Sequence, residues 1–463
     1  MSHDSENTPI STPPTTPGVM TRMTRHTTTT TTTMKDPSRP RWKEPSSSAS
    51  ASASASASSA SASAASASAA TDDDTRARKV VVFGSVNVDH CFRGPRLPRI
   101  GETVGGCAYE RRCGGKGANQ ACAAAETHKW LMKDARVASS GERRGAAAVA
   151  FVGAYGAKDR RSKRALAAHG VDVSEMGSID GCETGCAAVL VNSEGENCIA
   201  VAPGANAHAG RMTIPRCDVL VLQCEVPQEA NYAAVTMAKT LNPDVCVVLN
   251  CAPVLYYDPQ LMKEVDVLIV NESERERLEM FATTTQPKFD PGMTITTFGE
   301  KGASLKGCMN SFPGVNLDSF GVYVPAVKPK DDEDEGDEMD KNEIDTVGAG
   351  DAFVGAFAAA LSEHHSVISC LAIASAVASR MCEYRGARLD RDCLLNSGKG
   401  GADRMRLAIE HIMKDADQCD TKERDRTILS QTERVSPEVF HGFCNAPVST
   451  IVANRRAVPR TVF

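Results

Sequence analysis

The feature that most constrains the fold is an alternation of short apolar runs with segments of helical spacing. The first run, residues 79–83, leads through Gly84 to a polar tip that ends at Asp89. The other runs lie at 149–152, 187–191, 219–222, 245–249, 265–270 and 294–298. Helical patterns between several of them lie at 117–125, 162–169, 229–240 and 272–281. Strands that alternate with helices predict an α/β protein whose parallel sheet is covered on both faces.

Two stretches, 90–113 and 179–201, interrupt this alternation with shorter patterns punctuated by glycine. Such patterns favour a small antiparallel sheet. Because ligands of open α/β sheets bind beyond the carboxyl ends of the strands, we expect these strands to form a lid over that edge.

Both ends of the chain differ in composition from its middle. Residues 1–78 contain a threonine run and a serine-alanine alternation with few large apolar side chains, so we expect a disordered extension. The middle, 79–390, is predicted to be one domain, with an acidic loop at 331–341. Residues 391–463 form a C-terminal extension of unknown role.

Charge and cysteine content exclude several classes. A net charge of -6, from 52 basic and 58 acidic residues, argues against nucleic-acid binding, which needs a clustered basic face. The 17 cysteines include no C-x-x-C pair, so we expect reduced core thiols rather than disulfides or a zinc site. We find no membrane-spanning run and no secretory signal, and we expect a cytoplasmic protein. Organelle import through the Ser/Thr-rich leader is the less favoured alternative.

The strongest local motif is Asp345-Thr-Val-Gly-Ala-Gly-Asp351, which runs into an alanine-rich helical pattern. The turn Gly348-Ala349-Gly350 would present free N–H groups and a helix N-terminus to an anion. Asp351, at the start of that helix, is placed to accept a proton from an attacking hydroxyl. The alternative is a tight turn followed by an ordinary first-turn carboxylate.

Three weaker motifs also carry polar side chains. Gly114-Gly-Lys-Gly-Ala-Asn-Gln120 lacks the order of a P-loop, and it suits either a polyhydroxylated ligand or a plain turn. Asn87 and Asp89 would share one face of a strand and could clamp sugar hydroxyls. Asn271-Glu-Ser-Glu274 could order water around magnesium, or could simply cap a helix.

Together these motifs resemble the ribokinase family of carbohydrate kinases, also called PfkB-type kinases, from about Val80 to about Arg388. The segments that carry the resemblance are Gly84-Ser-Val-Asn-Val-Asp89, Gly101-Glu-Thr103, Gly114 to Gln120, Asn192 to Asn197, Pro203-Gly-Ala-Asn206, Gln223-Cys-Glu225, Asn250-Cys-Ala-Pro253, Asn271 to Glu274, Thr297 to Gly302 and Asp345 to Asp351. The resemblance implies a three-layer αβα sandwich with a mostly parallel central sheet and a small β lid.

The resemblance also implies an activity, ATP-dependent phosphorylation of ribose at its 5-hydroxyl. Asp351 would be the base, and the N–H groups of Gly348, Ala349 and Gly350 would form an anion hole. The residues that would hold ribose are Asn87, Asp89, Gly114, Gly115, Lys116, Asn119, Glu225 and Asp351. Alternatives are a related kinase for another sugar or a nucleoside, and a weakly catalytic protein that binds ribose or ATP.

The remaining implied sites concern ATP and cations. Those for the nucleotide are Asn271, Thr297, Gly299, Gly302 and Gly350. Glu274 would act on Mg²⁺ through water, while Asp345, the carbonyl of Val347 and Gly386 match the family's potassium loop. The resemblance further implies a homodimer that pairs through the lids. The chain at 275–294 is shorter than is usual in the family.

Overall fold

The central sheet has eight strands in a computed structural model that describes residues 78–134, 148–194, 196–285, 292–307, 320–326, 345–384, 386–388, 394 and 409. Their order across the sheet is β14-β13-β12-β11-β10-β9-β1-β4. The strands from β4 to β12 pair in parallel, whereas β13 and β14 add an antiparallel edge. The bounds are β1 Arg78–Phe83, β4 Val149–Val152, β9 Cys217–Gln223, β10 Cys246–Asn250, β11 Val267–Asn271, β12 Met293–Thr297, β13 Ala303–Gly307 and β14 Phe320–Val324.

Helices cover both faces of this sheet. Alternate residues of a strand point to opposite faces, so Val80 and Val82 join one core while Val81 and Phe83 join the other. The first core includes side chains of α1 (Lys116–Asp134), α2 (Arg160–Ala168), α6 (Ala349–Ser362) and α7 (Val367–Met381). The second includes α3 (Gln228–Leu241), α4 (Pro259–Glu264) and α5 (Glu272–Thr285). The predicted three-layer αβα sandwich is confirmed.

Helices α1 and α6 pack closely against each other, and this contact positions residues of the candidate site. Every residue of α6 from Asp351 to Ser362 is buried, and most of these side chains are small. At Gly355 an added Cβ would lie only 2.8 Å from the Cβ of Ala123 and the nitrogen of Ala124. This close approach packs α1 directly against α6, and Asn119 and Gln120 of α1 reach Asp351 of α6.

A second sheet forms the lid. Its strands are β2 (Asn87–Arg93), β3 (Ala108–Gly114), β7 (Gly185–Val191) and β8 (Asn197–Ala202), in the order β3-β2-β7-β8. The outer pairs are antiparallel, but β2 and β7 pair in parallel. The prediction of a small antiparallel sheet is therefore wrong for this central pair, because the chain between β2 and β7 contains β3, α1, β4 and α2 rather than a hairpin turn. The run at 187–191 belongs to this sheet.

Smaller elements complete the described chain. β5 (Ala154–Gly156) and β6 (Gly177–Ile179) form a parallel pair, and 3₁₀ turns occupy Gly204–Arg211 and Gly299–Lys301. Within the described residues, none of the helices has the length and apolar character required to cross a bilayer. The predicted disorder before residue 78, the acidic loop 331–341 and nearly all of the C-terminal extension lie outside the described residues.

Candidate active site

Polar residues gather where parallel strands end at their carboxyl edge. Ser85 follows β1, Glu225 follows β9, and Asn250, Asn271 and Thr297 end the next three strands. Asn271 and Thr297 are partners in register. With a strand spacing of about 4.8 Å, the four steps from β1 to β12 cover about 19 Å. This edge is long enough for a sugar and a nucleotide side by side.

The N-terminus of α6 faces this edge. Gly348 has φ +84°, and a Cβ there would meet the carbonyl of Ala387. An added Cβ at Gly350 would meet nothing within 4 Å, so space lies in front of the turn. The N–H of Ala349 donates to the carbonyl of Thr346 at 3.2 Å. A bound anion would therefore compete with this bond, while the helix N-terminus attracts it.

Asp351 lies at this turn, almost buried, and α1 surrounds its carboxylate. Asn119 Nδ2 donates to Oδ2 at 3.1 Å, and Gln120 Nε2 donates to Oδ1 at 3.0 Å. Lys116 Nζ lies 4.0 Å from Oδ1. The predicted base is thus brought together with two predicted sugar residues. Gln120, although part of the motif, was not among the predicted site residues.

Glu225 lies at the part of the edge where the sugar is predicted to bind. Its Oε2 accepts from the Ser85 hydroxyl at 2.5 Å and from the Lys116 N–H at 3.0 Å. These bonds fix the carboxylate between β1 and the start of α1.

Asn87 is buried at the start of the lid strand β2. Its Oδ1 accepts from Asn206 Nδ2 at 2.8 Å, and Asn206 also bonds the backbone of Val86. With Oδ1 engaged in this way, the amide nitrogen is what Asn87 can offer a ligand. Asn206 belongs to a motif that the sequence comparison noted, but its contact with Asn87 depends on the tertiary fold.

Gly114 and Gly115 are required by close packing at this place. A Cβ on Gly114 would collide with the carboxylate of Asp89, and one on Gly115, whose φ is +90°, would lie 2.7 Å from the nitrogen of Asn87. Both glycines therefore let the backbone before α1 approach Asn87 and Asp89. Their direct contact with a sugar stays a prediction.

Asp89 has an unusual titration. Burial raises its pKa to about 6, an effect that Arg388 opposes and that the nearby carboxylates of Glu225 and Asp351 reinforce. The pKa of Lys116 is also raised. The main cause is the negative charge of Asp351, which outweighs the opposite effect of burial. The site thus holds several carboxylates in mutual electrostatic contact.

Arg388 contacts residues of the candidate site, but it was not among the site residues predicted from the sequence. Its Nε donates to Asn119 Oδ1 at 2.8 Å, and its NH2 nitrogen donates to the carbonyl of Gly114 at 2.9 Å. Its position two residues after Gly386 was the only available signal.

Asn271 and Glu274 form a capping box at the start of α5. Asn271 Oδ1 accepts from the Glu274 N–H at 2.8 Å, and Glu274 Oε2 accepts from the Asn271 N–H at 2.9 Å. The alternative of a helix cap is therefore realised at these residues.

The same carboxylate also suits magnesium. Burial raises the pKa of Glu274, Lys116 opposes this, and Asp351 adds to it, so Glu274 lies within electrostatic range of the base. In the described part of the chain, no cluster of three Asp, Glu, His or Cys side chains could hold a metal alone. A magnesium ion that keeps its waters and binds ATP phosphates needs only one or two protein carboxylates. The carboxylate of Glu274 therefore fits such an ion.

Asp345 contacts both other residues of the predicted potassium loop. Its Oδ1 accepts from the Val347 N–H at 3.1 Å, and its Oδ2 accepts from the Gly386 N–H at 2.9 Å. Binding of potassium at these residues stays a prediction. Arg93 from the lid lies 3.4 Å from Oδ2 and would compete for it.

The other residues predicted to bind the nucleotide, Thr297, Gly299 and Gly302, lie at the end of β12. Gly299 and Gly302 bound the 3₁₀ turn after Thr297 with φ values of +58° and +109°. A Cβ on Gly302 would collide with the carbonyl of Val324. The expected shortening of 275–294 leaves α5 and β12 in place around residues 286–291, which the structure does not describe.

Two thiols lie beside Glu225. Cys224 and Cys251 follow β9 and β10, their Sγ atoms are 3.7 Å apart, and both are buried. The contact with Cys224, together with burial, raises the pKa of the Cys251 thiol. All described cysteines are free, which agrees with the expected reduced state, although about half are partly exposed rather than in the core.

Comparisons with known proteins agree with this architecture. Residues 77–392 match the model of the pfkB family carbohydrate kinases, which is more than half of the chain. The chain belongs to this family. It is 31% identical over 327 residues to a ribokinase of Haemophilus influenzae, a match that covers 67% of this chain and 94% of the relative.

Two further relatives bear on the substrate. A deoxyribokinase of Salmonella typhi is 30% identical over 297 residues, covering 60% of this chain and 84% of the relative. The structure of an Arabidopsis thaliana ribokinase complexed with ribose and ATP is 25% identical, with a TM-score of 0.52 and coverage of 72% of this chain and 99% of the other.

Proposed function

We propose that this chain transfers the γ-phosphoryl group of ATP to the 5-hydroxyl of D-ribose, giving ribose 5-phosphate and ADP. The observation that carries the proposal is the carboxylate of Asp351 at the N-terminus of α6, held by Asn119 and facing Lys116. A carboxylate beside an anion-attracting helix end is what the attack of a hydroxyl on a phosphoryl group requires. The ribokinase relatives supply the substrate class.

In the proposed reaction Asp351 accepts the proton of the 5-hydroxyl. The sugar oxygen then forms a bond to the γ-phosphorus as the bond from that phosphorus to the bridging oxygen of ADP breaks. The N–H groups of Gly348, Ala349 and Gly350 stabilise the charge on the transferred group. Lys116, close to both Asp351 and the path of the phosphoryl group, adds positive charge.

Ribose is proposed to bind between the lid strand and α1. Its hydroxyls would contact Asn87, Asp89, Glu225 and the amide of Asn119, with the backbone of Gly114 and Gly115 close by. Carboxylates and amides suit vicinal hydroxyls because the former accept and the latter both donate and accept.

ATP is proposed to lie along the ends of β11 and β12, against Asn271, Thr297, Gly299 and Gly302, with its γ-phosphate at Gly350. Mg²⁺, when bound to the phosphates near Glu274, would neutralise their charge. We also infer a monovalent cation, K⁺, at the loop of Asp345, Val347 and Gly386.

We also infer the cellular compartment and the oligomeric state of the protein. Free thiols throughout the described residues suit a reducing compartment, and we infer the cytoplasm. The exposed strand β8, with Ile199 and Val201 more than half exposed, supports a homodimer through the lids. Sedimentation of the full chain would test the dimer.

The decisive experiment is a phosphorylation assay with a panel of sugars and nucleosides. Ribose should be the best substrate in ATP and Mg²⁺, and K⁺ should raise the rate. The deoxyribokinase relative makes 2-deoxyribose the second candidate. Better turnover of 2-deoxyribose, fructose or a nucleoside would overturn the substrate, and ribose binding without any turnover would indicate a binding protein.

A further inference from the structure

A buried glutamine of α1 contacts the predicted base from the side opposite to solvent. Gln120 is wholly buried. Its Nε2 donates to Asp351 Oδ1 and to Asn250 Oδ1, both at 3.0 Å. Its Oε1 accepts from Gln223 Nε2 at 2.7 Å. A chain of amides therefore leads from β9 through α1 to the carboxylate.

The direction of this chain is set at Asp351. An ionised carboxylate only accepts hydrogen bonds, so the Gln120 amide must turn its NH2 group towards it. Its oxygen then faces Gln223, which must in turn present its own NH2 group. As a result the Oε1 of Gln223 is buried with no hydrogen-bond partner among the described residues. Leaving that oxygen unsatisfied is costly, which indicates how strongly the arrangement favours Asp351.

The second carboxylate oxygen is held in a similar way. Asn119 donates to Oδ2, and the Asn119 oxygen is itself held by Arg388 Nε at 2.8 Å. With both oxygens bonded to oriented amides, the carboxylate has little freedom to rotate about its terminal torsion.

We propose that Gln120 is a positioning residue for phosphoryl transfer. It fixes the direction in which Asp351 offers its lone pair to the sugar hydroxyl, and it acts only through Asp351 because it is sealed from the ligand side. The inference rests on the proposed kinase function. Loss of this bond should lower kcat and leave ligand binding almost unchanged, since misalignment of a reacting group affects the chemical step.

The first test is Gln120→Met, which keeps the length of the side chain but removes its hydrogen bonds. We expect kcat to fall about tenfold, while KM for ribose and for ATP stay within about twofold. Gln260→Met, on the exposed face of α4, is the matched control and should leave all constants unchanged. Ribose binding by calorimetry checks that each variant is folded.

The second test is Gln120→Glu, which keeps the shape and places a carboxylate against Asp351. Two carboxylates at this distance cannot both ionise, so the acidic limb of the kcat profile should move to higher pH. The other charged groups facing Asp351 are Lys116 from α1, Asp89 from β2 and Glu274 from α5, and all are retained. A merely structural role would not move this limb.

The third test is Gln223→Met, one step further from the base. It should lower kcat in the same direction but less, and the double variant with Gln120→Met should add little. If Gln120→Met does not fold, the other two variants decide. A Gln120→Met kcat equal to wild type, or a KM loss as large as the kcat loss, would overturn the positioning role alone. A wild-type chain inactive on every sugar would overturn the proposed function as well.

Discussion

Asp351 is the residue on which the proposed chemistry depends most directly. Replacing it with asparagine keeps the shape but removes the proton acceptor, so we expect kcat to fall by about 10²- to 10⁴-fold. Ribose binding measured by calorimetry should change little, because the asparagine oxygen can still accept from one of the two α1 amides and the other proposed ribose contacts, Asn87, Asp89 and Glu225, are unchanged. A variant with near wild-type kcat would remove Asp351 from the role of base.

The proposed contact of Asp89 with ribose predicts that ribose binding depends on pH. With a pKa of about 6, its carboxylate is largely ionised at pH 7 and becomes protonated as the pH falls through 6. Protonation removes an acceptor for sugar hydroxyls, so ribose should bind more weakly, by about tenfold for each pH unit well below 6. Calorimetry without ATP between pH 5 and 8 measures this.

The control for this pH effect is Asp89→Asn, whose ribose affinity should be weaker at pH 8 but nearly flat across the same range. A wild-type affinity that does not vary between pH 5 and 8 contradicts the role of Asp89.

At the scale of single residues, the sequence predicts which side chains share one short motif, such as Gly348 with Asp351 and Lys116 with Asn119. The catalytic and binding roles of these residues stay predictions. Gln120, Asn206 and Arg388 were not predicted as site residues, because their roles arise from contacts between distant segments. No local pattern distinguishes a glutamine that orients a carboxylate from one that fills a helix.

At the scale of elements, the capping box of α5 separates two functions of Glu274. Glutamine also serves in a capping box, so Glu274→Gln should keep the free energy of unfolding within about 0.5 kcal/mol of wild type. It removes the negative charge, and the Mg²⁺ concentration for half-maximal activity should rise several-fold.

The comparison variant is Glu274→Ala, which should lose both the cap and the metal effect. Urea unfolding and magnesium titration of the three chains measure the two functions separately. An unchanged magnesium requirement in Glu274→Gln would show that the residue only caps the helix.

The contact between α1 and α6 depends on Gly355. A methyl group there would press on the backbone of α1, an overpacking that typically costs about 1–3 kcal/mol. The gain in helix propensity of about 1 kcal/mol offsets part of this, so Gly355→Ala should be destabilised by up to about 2 kcal/mol in urea. Its kcat should also fall, because α1 carries the amides that hold the base.

Gly105→Ala is the control, since a Cβ at Gly105 meets nothing within 4 Å. Its stability should match wild type. Equal stability of both variants would show that the two helices have room to separate.

The type of most elements was predictable, because 3.6-residue and two-residue periodicities are local properties. The parallel β2–β7 pairing was not, since a strand's pattern does not reveal a partner almost a hundred residues away. The antiparallel edge of β13 and β14 was missed for a related reason. β13 contains serine, lysine and glycine, and β14 is interrupted by Gly321, so neither strand has the continuous apolar run that marks the buried strands.

At the scale of the whole molecule, the order of the sheet explains why scattered motifs form one site. Five strand ends that are distant in sequence become neighbours along one edge, and the starts of α1 and α6 face them. A reader of the sequence can foresee such an edge from the parallel topology alone. The spacing of side chains along it follows only from the strand order, in which β1 lies between β4 and β9.

The rate at which the thiols of Cys224 and Cys251 react with a thiol reagent should measure how often this edge of the sheet opens. Both sulfurs are sealed beside Glu225, so a thiol reagent such as DTNB can react only when the strand ends loosen. The reaction of these two thiols with DTNB should therefore form a slow phase. Ribose at 100 times its Kd should lower the rate of this phase by up to about 100-fold, if the loosened state cannot bind ribose.

Labelling of Cys198, which is exposed, supplies the fast reference phase in the same sample. In the described part of the chain four other thiols are also buried, at Cys122, Cys217, Cys246 and Cys370, so mass spectrometry of the labelled peptides identifies the slow reaction of Cys224 and Cys251. Replacing these two cysteines with alanine should remove their part of the slow phase and leave that of the other four. If ribose leaves the slow rate unchanged, the edge does not loosen where the sugar binds. If ribose lowers the slow rate, the reactivity of the Cys224 and Cys251 sulfurs measures how often the strand ends at the candidate site loosen, although neither sulfur takes part in the proposed reaction.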